Sequence, residues 1–159
     1  MAAVWKPSVT VAAVVERDGR FLLVEEETPD GVRLNQPAGH LDPGETLVAA
    51  AAREALEETG HAFTPRELLG VYMARSFPAD QPEGVTYVRF AFRGELGPRE
   101  DGRALDHGIL RVLWLTPVEL SARAAEHRSP LVMRCVEDHL AGRRFPLDLI
   151  HTHASALAG

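Results

Sequence analysis

The stretch that decides the fold runs from Gly39 to Gly60 and reads GHLDPGETLVAAAAREALEETG. Its alanine-rich middle consists of strong helix formers. Thr46 is the expected N-cap of this helix and Gly60 its expected C-cap. On such a helix Glu54, Glu57 and Glu58 have the spacing i, i+3, i+4 and therefore share one face. Three adjacent carboxylates repel one another, and a divalent cation among them would offset that repulsion because hard cations prefer oxygen ligands.

The same stretch resembles the Nudix box of the Nudix hydrolases, because all of that motif's fixed charged and glycine positions are occupied. The alternative is an ordinary solvated acidic helix face, which most charge runs are. Glu45, Arg53 and both glycines stand at the motif's offsets as well, and this favours the Nudix interpretation. One aliphatic position of the motif falls on Ala55, and the other falls on His61, which departs from the pattern.

The resemblance implies a divalent metal ion, Mg²⁺ or alternatively Mn²⁺, as the cofactor. The matching metal positions are the backbone carbonyl of Gly39 and the side chains of Glu54, Glu57 and Glu58. Arg53 and Glu45 match catalytic positions that orient these carboxylates, and Arg53 is also placed to pair with the glutamate four residues later.

The bulk properties are those of a globular chain. Its 159 residues suit a single domain over residues 1–159, with a core over about 8–145 and a frayed tail at 151–159. A formal net charge of −6 argues against a nucleic-acid-binding surface, which needs basic patches. No apolar run approaches a membrane span and no signal peptide is visible, so the cytoplasm is the expected location. The oligomeric state is left open between a monomer and a homodimer.

Apolar, β-branched runs predict the strands around this helix. Val9–Val15 and Phe21–Val24 flank the turn signal Asp18-Gly19. The other predicted strands cover residues 32–36, 68–77, 85–92 and 109–115, with polar loops at 78–84 and 96–106, a short helix from 117 and a last helix from 129 to near 142. This order predicts an α/β fold, and the Nudix resemblance implies the same: an α/β/α sandwich with a mixed β-sheet and a catalytic loop–helix–loop.

Segments before the box, at the start of its helix and near the end of the chain narrow the resemblance to the NudJ-type Nudix phosphatases of bacteria. They are Lys6–Ala12, Asn35–Leu41, Glu45–Val48, Arg128–Val132 and Gly142–Leu147. The likeness implies hydrolysis of phosphoanhydride bonds in nucleoside tri- and diphosphates and in hydroxymethylpyrimidine or thiamin pyrophosphate, with release of orthophosphate. One alternative is a Nudix pyrophosphohydrolase of damaged nucleotides or nucleoside diphosphate sugars. The other is a non-catalytic Nudix ligand-binding module, against which the complete set of box carboxylates argues.

A general base is expected from a later loop, as the family often uses one. The candidates are Glu83, Asp101 and Asp106, of which Asp106 is preferred because it precedes the predicted strand at 109–115. The alternative for each is a solvated loop charge.

Four residues are candidates for binding the small-molecule substrate. Asn35 and Gln36 precede the box and are suited to bind phosphate or base, or else are polar residues at a strand edge. Arg89 is predicted on the strand face opposite Val88, where it contacts substrate phosphates or is a surface arginine. His40 either binds substrate or positions the loop.

Overall fold

The computed structural model describes residues 2–158, which form two β-sheets with helices packed against them. In chain order the strands are β1 (Ser8–Val14), β2 (Glu16–Arg17), β3 (Arg20–Thr28), β4 (Gly31–Asn35), β5 (Ala38–His40), β6 (His61–Ser76), β7 (Val85–Arg99) and β8 (Ile109–Leu115). The α-helices are α1 (Leu47–Thr59), α2 (Pro117–Ala122) and α3 (Leu131–Leu140). Short 3₁₀ turns lie at Ala124–Glu126, Leu147–Leu149 and Ala154–Ala156.

The larger sheet is mixed and places the start of the Nudix-like stretch at its edge. Its strand order is β5-β1-β7-β6, with β1 parallel to β7 and antiparallel to β5. In the second sheet, β3 pairs antiparallel with β2, β4 and β8. The predicted mixed sheet is therefore confirmed, accompanied by a second, antiparallel sheet that contains β3 and β4.

The core lies on both sides of β1, which accounts for the continuous apolar run in its sequence. Val11 and Ala13 point to the cluster that contains Ala51 and Ala55 of α1. The alternate residues of the same strand point to a second cluster with α2 and α3. This arrangement confirms the predicted sandwich of helices around a mixed sheet.

The strands are longer than the sequence pattern predicts. The predicted strands at 68–77 and 85–92 become β6 and β7, which extend to residues 61 and 99 and pair through several register shifts. Residues 96–99 therefore belong to β7 and not to the predicted loop. Such shifts, like β-bulges, interrupt the alternation of apolar and polar side chains and so hide the ends of a strand from sequence inspection.

Both predicted helix caps are confirmed. The Thr46 side chain accepts a hydrogen bond from the Ala49 backbone at 3.0 Å, and Gly60 ends α1 with φ 75°, in the left-handed region. Thr116 caps α2, with Glu119 completing a capping box. None of the helices of residues 2–158 is long and apolar enough to span a membrane.

The last part of the chain follows the surface beside α1. Leu147 and Ile150 pack against the cluster on the α1 side, and residues 154–156 form a 3₁₀ turn whose first residue follows the His153 cap. The single-domain organisation and the boundaries of the core stay predictions.

Candidate active site

Helix α1 divides its residues between the core and the site. Ala50, Ala51 and Ala55 are buried, and their small side chains let the helix lie close to the sheet. Glu54 and Glu58 are also almost fully buried, at 8% and 6% exposure, although each is ionisable. Burial of an ionised carboxylate is unfavourable in free energy unless the group is paired or bound to a cation. The two buried glutamates on this helix face therefore need such a partner.

Three carboxylates meet beside the helix. Oxygen atoms of Glu54, Glu57 and Asp106 all lie within 4.8 Å of one another. The Asp106 backbone N–H donates to the Glu57 carbonyl oxygen at 2.9 Å, which fixes the loop before β8 against α1. The structure thus brings Asp106 to the box, whereas neither Glu83 nor Asp101 belongs to a metal-binding group of acids or histidines in the part of the chain that is described.

Glu58 occupies a separate, more buried position. Its Oε1 accepts a hydrogen bond from the Ala38 backbone at 2.9 Å, which ties α1 to β5. Burial raises the pKa of Glu58 to about 9, and the negative charges of Glu26, Glu54 and Asp106 act in the same direction. Burial also raises the pKa of Glu54, against the opposing effect of its Arg53 partner. A bound divalent cation would reverse this balance and favour the charged carboxylates.

Arg53 connects the acidic residues to the loop before the helix. Its guanidinium donates to both oxygens of Glu45, at 2.7 and 3.0 Å, and to the His40 carbonyl at 3.0 Å. It also donates to Glu54 at 2.9 Å and to Glu57 at 3.1 Å, the predicted i,i+4 pair. The hydrogen bond from Arg53 is the main reason that the pKa of Glu45 is lowered. Arg53 and Glu45 are thus placed to orient the carboxylates.

Gly39 is required by close packing. A Cβ atom at this position would overlap the carboxylate of Glu54. The strand β5 therefore approaches the helix more closely than a residue with a side chain allows. The Gly39 carbonyl belongs to β5, which flanks the acidic cluster. The preceding residue of that strand, Ala38, donates its backbone N–H to Glu58.

A cavity of about 490 Å³ opens beside the acidic cluster, between the two sheets. Gly39 and Ala38 line it and connect it with the carboxylates of α1, because Gly39 packs against Glu54 and Ala38 donates to Glu58. Three of the four candidate substrate residues, Asn35, His40 and Arg89, also line it. The volume falls within the range of small-molecule sites in proteins.

Arg89 is buried at 5% exposure, which makes the surface-arginine interpretation wrong. It donates to the Asn35 side-chain oxygen and to the Gln36 side-chain oxygen, both at 2.8 Å. Asn35 and Gln36 are themselves only 8% and 1% exposed, and Asn35 is the last residue of β4, which lies at the edge of its sheet. Gln36 does not line the cavity, and its place is behind Arg89.

His40 has two separate roles in the structure. Its backbone carbonyl accepts from Arg53, while its ring lies parallel to the ring of Tyr87, with centroids 6.3 Å apart and an angle of 12° between the planes. Both rings line the cavity. The backbone contact matches the loop-positioning interpretation, and the ring is available to a bound molecule.

Sequence reasoning missed Glu26, Arg128 and Tyr87. Arg128 donates to Glu26 at 2.8 Å, and both side chains line the cavity. Glu26 is the middle of three consecutive glutamates on β3, and the strand's alternation points only this one to the cavity side with Arg33, its β4 partner. Glu26 would have been identified if the predicted strand had been extended beyond residue 24.

The donor set fits a divalent cation of the Mg²⁺ type. The converging ligands are carboxylate oxygens, the atoms that hard cations prefer, and they approach one another despite their charge. The acidic cluster is therefore able to bind a metal ion.

Comparison with known proteins identifies the family of the chain. The NUDIX domain family matches residues 5–135. Phosphatase NudJ of Escherichia coli strain K12 is 38% identical over 146 residues, which cover 92% of each chain, and phosphatase NudJ of Shigella boydii matches equally. A NUDIX hydrolase structure from Nitrosomonas europaea has 49% sequence identity and a TM-score of 0.86, covering 93% of this chain and 98% of that chain.

A more distant structure extends the likeness in fold alone. A MutT NUDIX hydrolase from Burkholderia pseudomallei superposes with a TM-score of 0.68 at 23% identity, over 84% of this chain and 98% of that chain. The family match covers most of the sequence and includes every residue of the box. The chain therefore belongs to the Nudix family and is a Nudix phosphohydrolase that resembles the bacterial NudJ phosphatases.

Proposed function

We propose that this enzyme uses a divalent metal ion to hydrolyse phosphoanhydride bonds in nucleoside tri- and diphosphates and in small pyrophosphates such as hydroxymethylpyrimidine or thiamin pyrophosphate. The released product is orthophosphate. The observation that supports the proposal best is the convergence of Glu54, Glu57 and Asp106 beside the cavity, where Glu54 packs against Gly39 of the cavity wall. The likeness to phosphatase NudJ supports the choice of product.

The metal ligands in this proposal are the carboxylates of Glu54, Glu57 and Glu58 and the carbonyl of Gly39. When bound, Mg²⁺ or Mn²⁺ supplies Lewis acidity and neutralises negative charge on the phosphoryl oxygens. Arg53 holds two of these carboxylates in position through its hydrogen bonds. Their orientation before the substrate arrives reduces the reorganisation that the reaction requires.

Asp106 is proposed as the general base, because its carboxylate belongs to the acidic cluster but is exposed to solvent. In this role it accepts a proton from the water that attacks the phosphoryl group. The cavity receives the rest of the substrate, with the His40 and Tyr87 rings as a surface for a planar group and Asn35 and Arg89 further inside.

Replacement of Asp106 by alanine is expected to lower kcat by at least about tenfold and by up to about ten-thousandfold, the range for a lost general base. Steady-state kinetics at saturating Mg²⁺ measures the change. Asp101→Ala is the matched control, since it removes an exposed carboxylate from the same loop. Equal rates for wild type and Asp106→Ala would show that the base lies elsewhere.

Replacement of Gly39 by alanine is expected to weaken Mn²⁺ binding at least about tenfold, because the new Cβ displaces the Glu54 carboxylate. Calorimetric titration with Mn²⁺ measures the affinity without any substrate. Gly97→Ala is the control, because the added Cβ there meets its nearest neighbours, atoms of Ala62, at 3.4 Å. An unchanged affinity in Gly39→Ala would mean that the position of Glu54 is not set by this contact.

Product analysis distinguishes the proposed activity from its Nudix alternative. Nucleotides, nucleoside diphosphate sugars and vitamin-precursor pyrophosphates are incubated with Mg²⁺, and orthophosphate, pyrophosphate and monophosphates are quantified. Orthophosphate from nucleoside di- and triphosphates is expected. Pyrophosphate plus a nucleoside monophosphate, or two monophosphates from a nucleotide sugar, would favour a pyrophosphohydrolase. A cytoplasmic location and a monomeric or homodimeric state complete the proposal.

A further inference from the structure

Arg89 is a buried cation whose hydrogen-bond partners are neutral. Its guanidinium contacts the Asn35 and Gln36 oxygens at 2.8 Å and the Cys135 Sγ at 3.8 Å. Among residues 2–158, no carboxylate oxygen lies within 4.0 Å of it. Burial of a charged group without an opposite charge is unfavourable. The buried Arg89 guanidinium is therefore expected to have an anionic partner.

The two amides are fixed in the orientation that presents oxygen to Arg89. The Gln36 side-chain nitrogen donates to the Val132 carbonyl at 2.8 Å. The Asn35 side-chain nitrogen lies 3.4 Å from a Glu26 carboxylate oxygen. Since a carbonyl or carboxylate oxygen only accepts, each amide must present its own oxygen to the guanidinium.

The acidic residue nearest to this network is neutralised separately. Glu26 pairs with Arg128 at 2.8 Å, on the other side of Asn35. Arg89 thus keeps an uncompensated positive charge at the wall of the cavity, in a protein whose formal net charge is −6.

We propose that Arg89 is the receptor for a phosphate group of the substrate inside the cavity, and that Asn35 and Gln36 are positioning residues that hold it without neutralising it. This rests on the proposed function. A carboxylate in place of either amide would hold the guanidinium equally well but would compete with the phosphate. Because Asn35 and Gln36 are neutral, the positive charge of Arg89 stays available to the phosphate.

The test moves a negative charge from position 26 to position 35, so the double variant keeps the wild-type net charge and carries one more negative charge than the Glu26→Gln reference. The double variant Glu26→Gln/Asn35→Asp places a carboxylate on Arg89 and an amide where Glu26 stood, and Glu26→Gln alone is the reference. The KM of the double variant is expected to exceed that of the reference at least tenfold, which corresponds to about 1.4 kcal/mol, with kcat within about threefold. Thermal unfolding is expected at the same temperature as the reference or higher, because Arg89 gains an ion pair.

Arg89→Met provides the second arm. When both the double variant and its Glu26→Gln reference also carry Arg89→Met, their KM values are expected to differ less than about twofold. The guanidinium through which the new carboxylate acts is then missing. Equal KM for the double variant and the Glu26→Gln reference overturns the inference, and so does an equally large effect in the Arg89→Met background. Should Arg89→Met not fold, the comparison of the double variant with its reference decides alone.

Calorimetric binding of methylenediphosphonate, a pyrophosphate analogue with a P–C–P bridge that cannot be hydrolysed, repeats the comparison in the presence of Mg²⁺ without turnover. A Kd raised at least tenfold by the swap is expected, and an unchanged Kd contradicts the role of Arg89. Hydrolysis by the wild-type enzyme in the same preparation tests the proposed function separately. An enzyme that hydrolyses phosphoanhydrides but is insensitive to the swap would refute only the role of Arg89.

Discussion

Glu57→Gln is expected to lower kcat at least about a thousandfold while the fold is kept. Glu57 contributes a carboxylate to the acidic cluster, and glutamine replaces its charge by a neutral amide of the same size. A thousandfold loss is the scale of removing one main electrostatic stabiliser of a transition state. The ion pair with Arg53 is partly exposed, so its loss is expected to cost no more than about 1 kcal/mol of folding free energy.

Steady-state kinetics and circular dichroism together measure this outcome. Glu137→Gln is the control, because Glu137 is an exposed glutamate on α3, outside the cluster. Rates near those of wild type in Glu57→Gln would exclude Glu57 as an essential ligand. A variant with altered dichroism would be replaced by Glu57→Asp, which keeps the charge but withdraws it by one methylene and is expected to retain more activity than the glutamine.

Removal of divalent cations by EDTA is expected to abolish hydrolysis, and excess Mg²⁺ or Mn²⁺ is expected to restore it. Without a cation, the substrate phosphates would face the carboxylates of Glu54, Glu57 and Asp106 at short range. Like charges at such distances repel strongly in a partly buried site. If the proposed mechanism is correct, removal of the ion is therefore expected to impair both substrate binding and hydrolysis.

The reversibility of the EDTA effect distinguishes a catalytic ion from a structural one. The circular dichroism spectrum is expected to stay unchanged in EDTA, because direct hydrogen bonds from Arg53 hold Glu45, Glu54 and Glu57. Full turnover in metal-free buffer would refute the mechanism. Unfolding in EDTA would instead assign the ion a role in stability.

The centre of the site was predictable because its geometry is local. Glu54, Glu57 and Glu58 lie on one helix, and the spacing along a helix determines which side chains share a face. The caps at Thr46 and Gly60 were readable for the same reason. The separation of Glu58 from the other two carboxylates was not predictable, because it depends on a hydrogen bond to Ala38 of a strand outside the helix.

The wall of the cavity was less predictable because it is assembled from distant parts of the chain. Arg89 was expected on the correct side of its strand, but its burial depends on Asn35 and Gln36, more than fifty positions earlier. Glu26 was hidden because β3 continues four residues beyond the apolar run that defines it in sequence. Pairing with β4 and β8 sustains that continuation, and a single sequence does not reveal pairing.

The loop between β7 and β8 has consequences for insertions and deletions. Two backbone hydrogen bonds fasten it to α1, from Glu100 N–H to the Gly60 carbonyl at 2.8 Å and from Asp106 N–H to the Glu57 carbonyl at 2.9 Å. Neither of these two bonds depends on a side chain, although Gly102 between the anchors has φ 71°, in the left-handed region that favours glycine. The length of the segment between the anchors is constrained, because a deletion there would pull the aspartate off the helix. A one-residue deletion between the two anchors is thus expected to lower activity through the position of Asp106 alone, although it removes no residue of the acidic cluster.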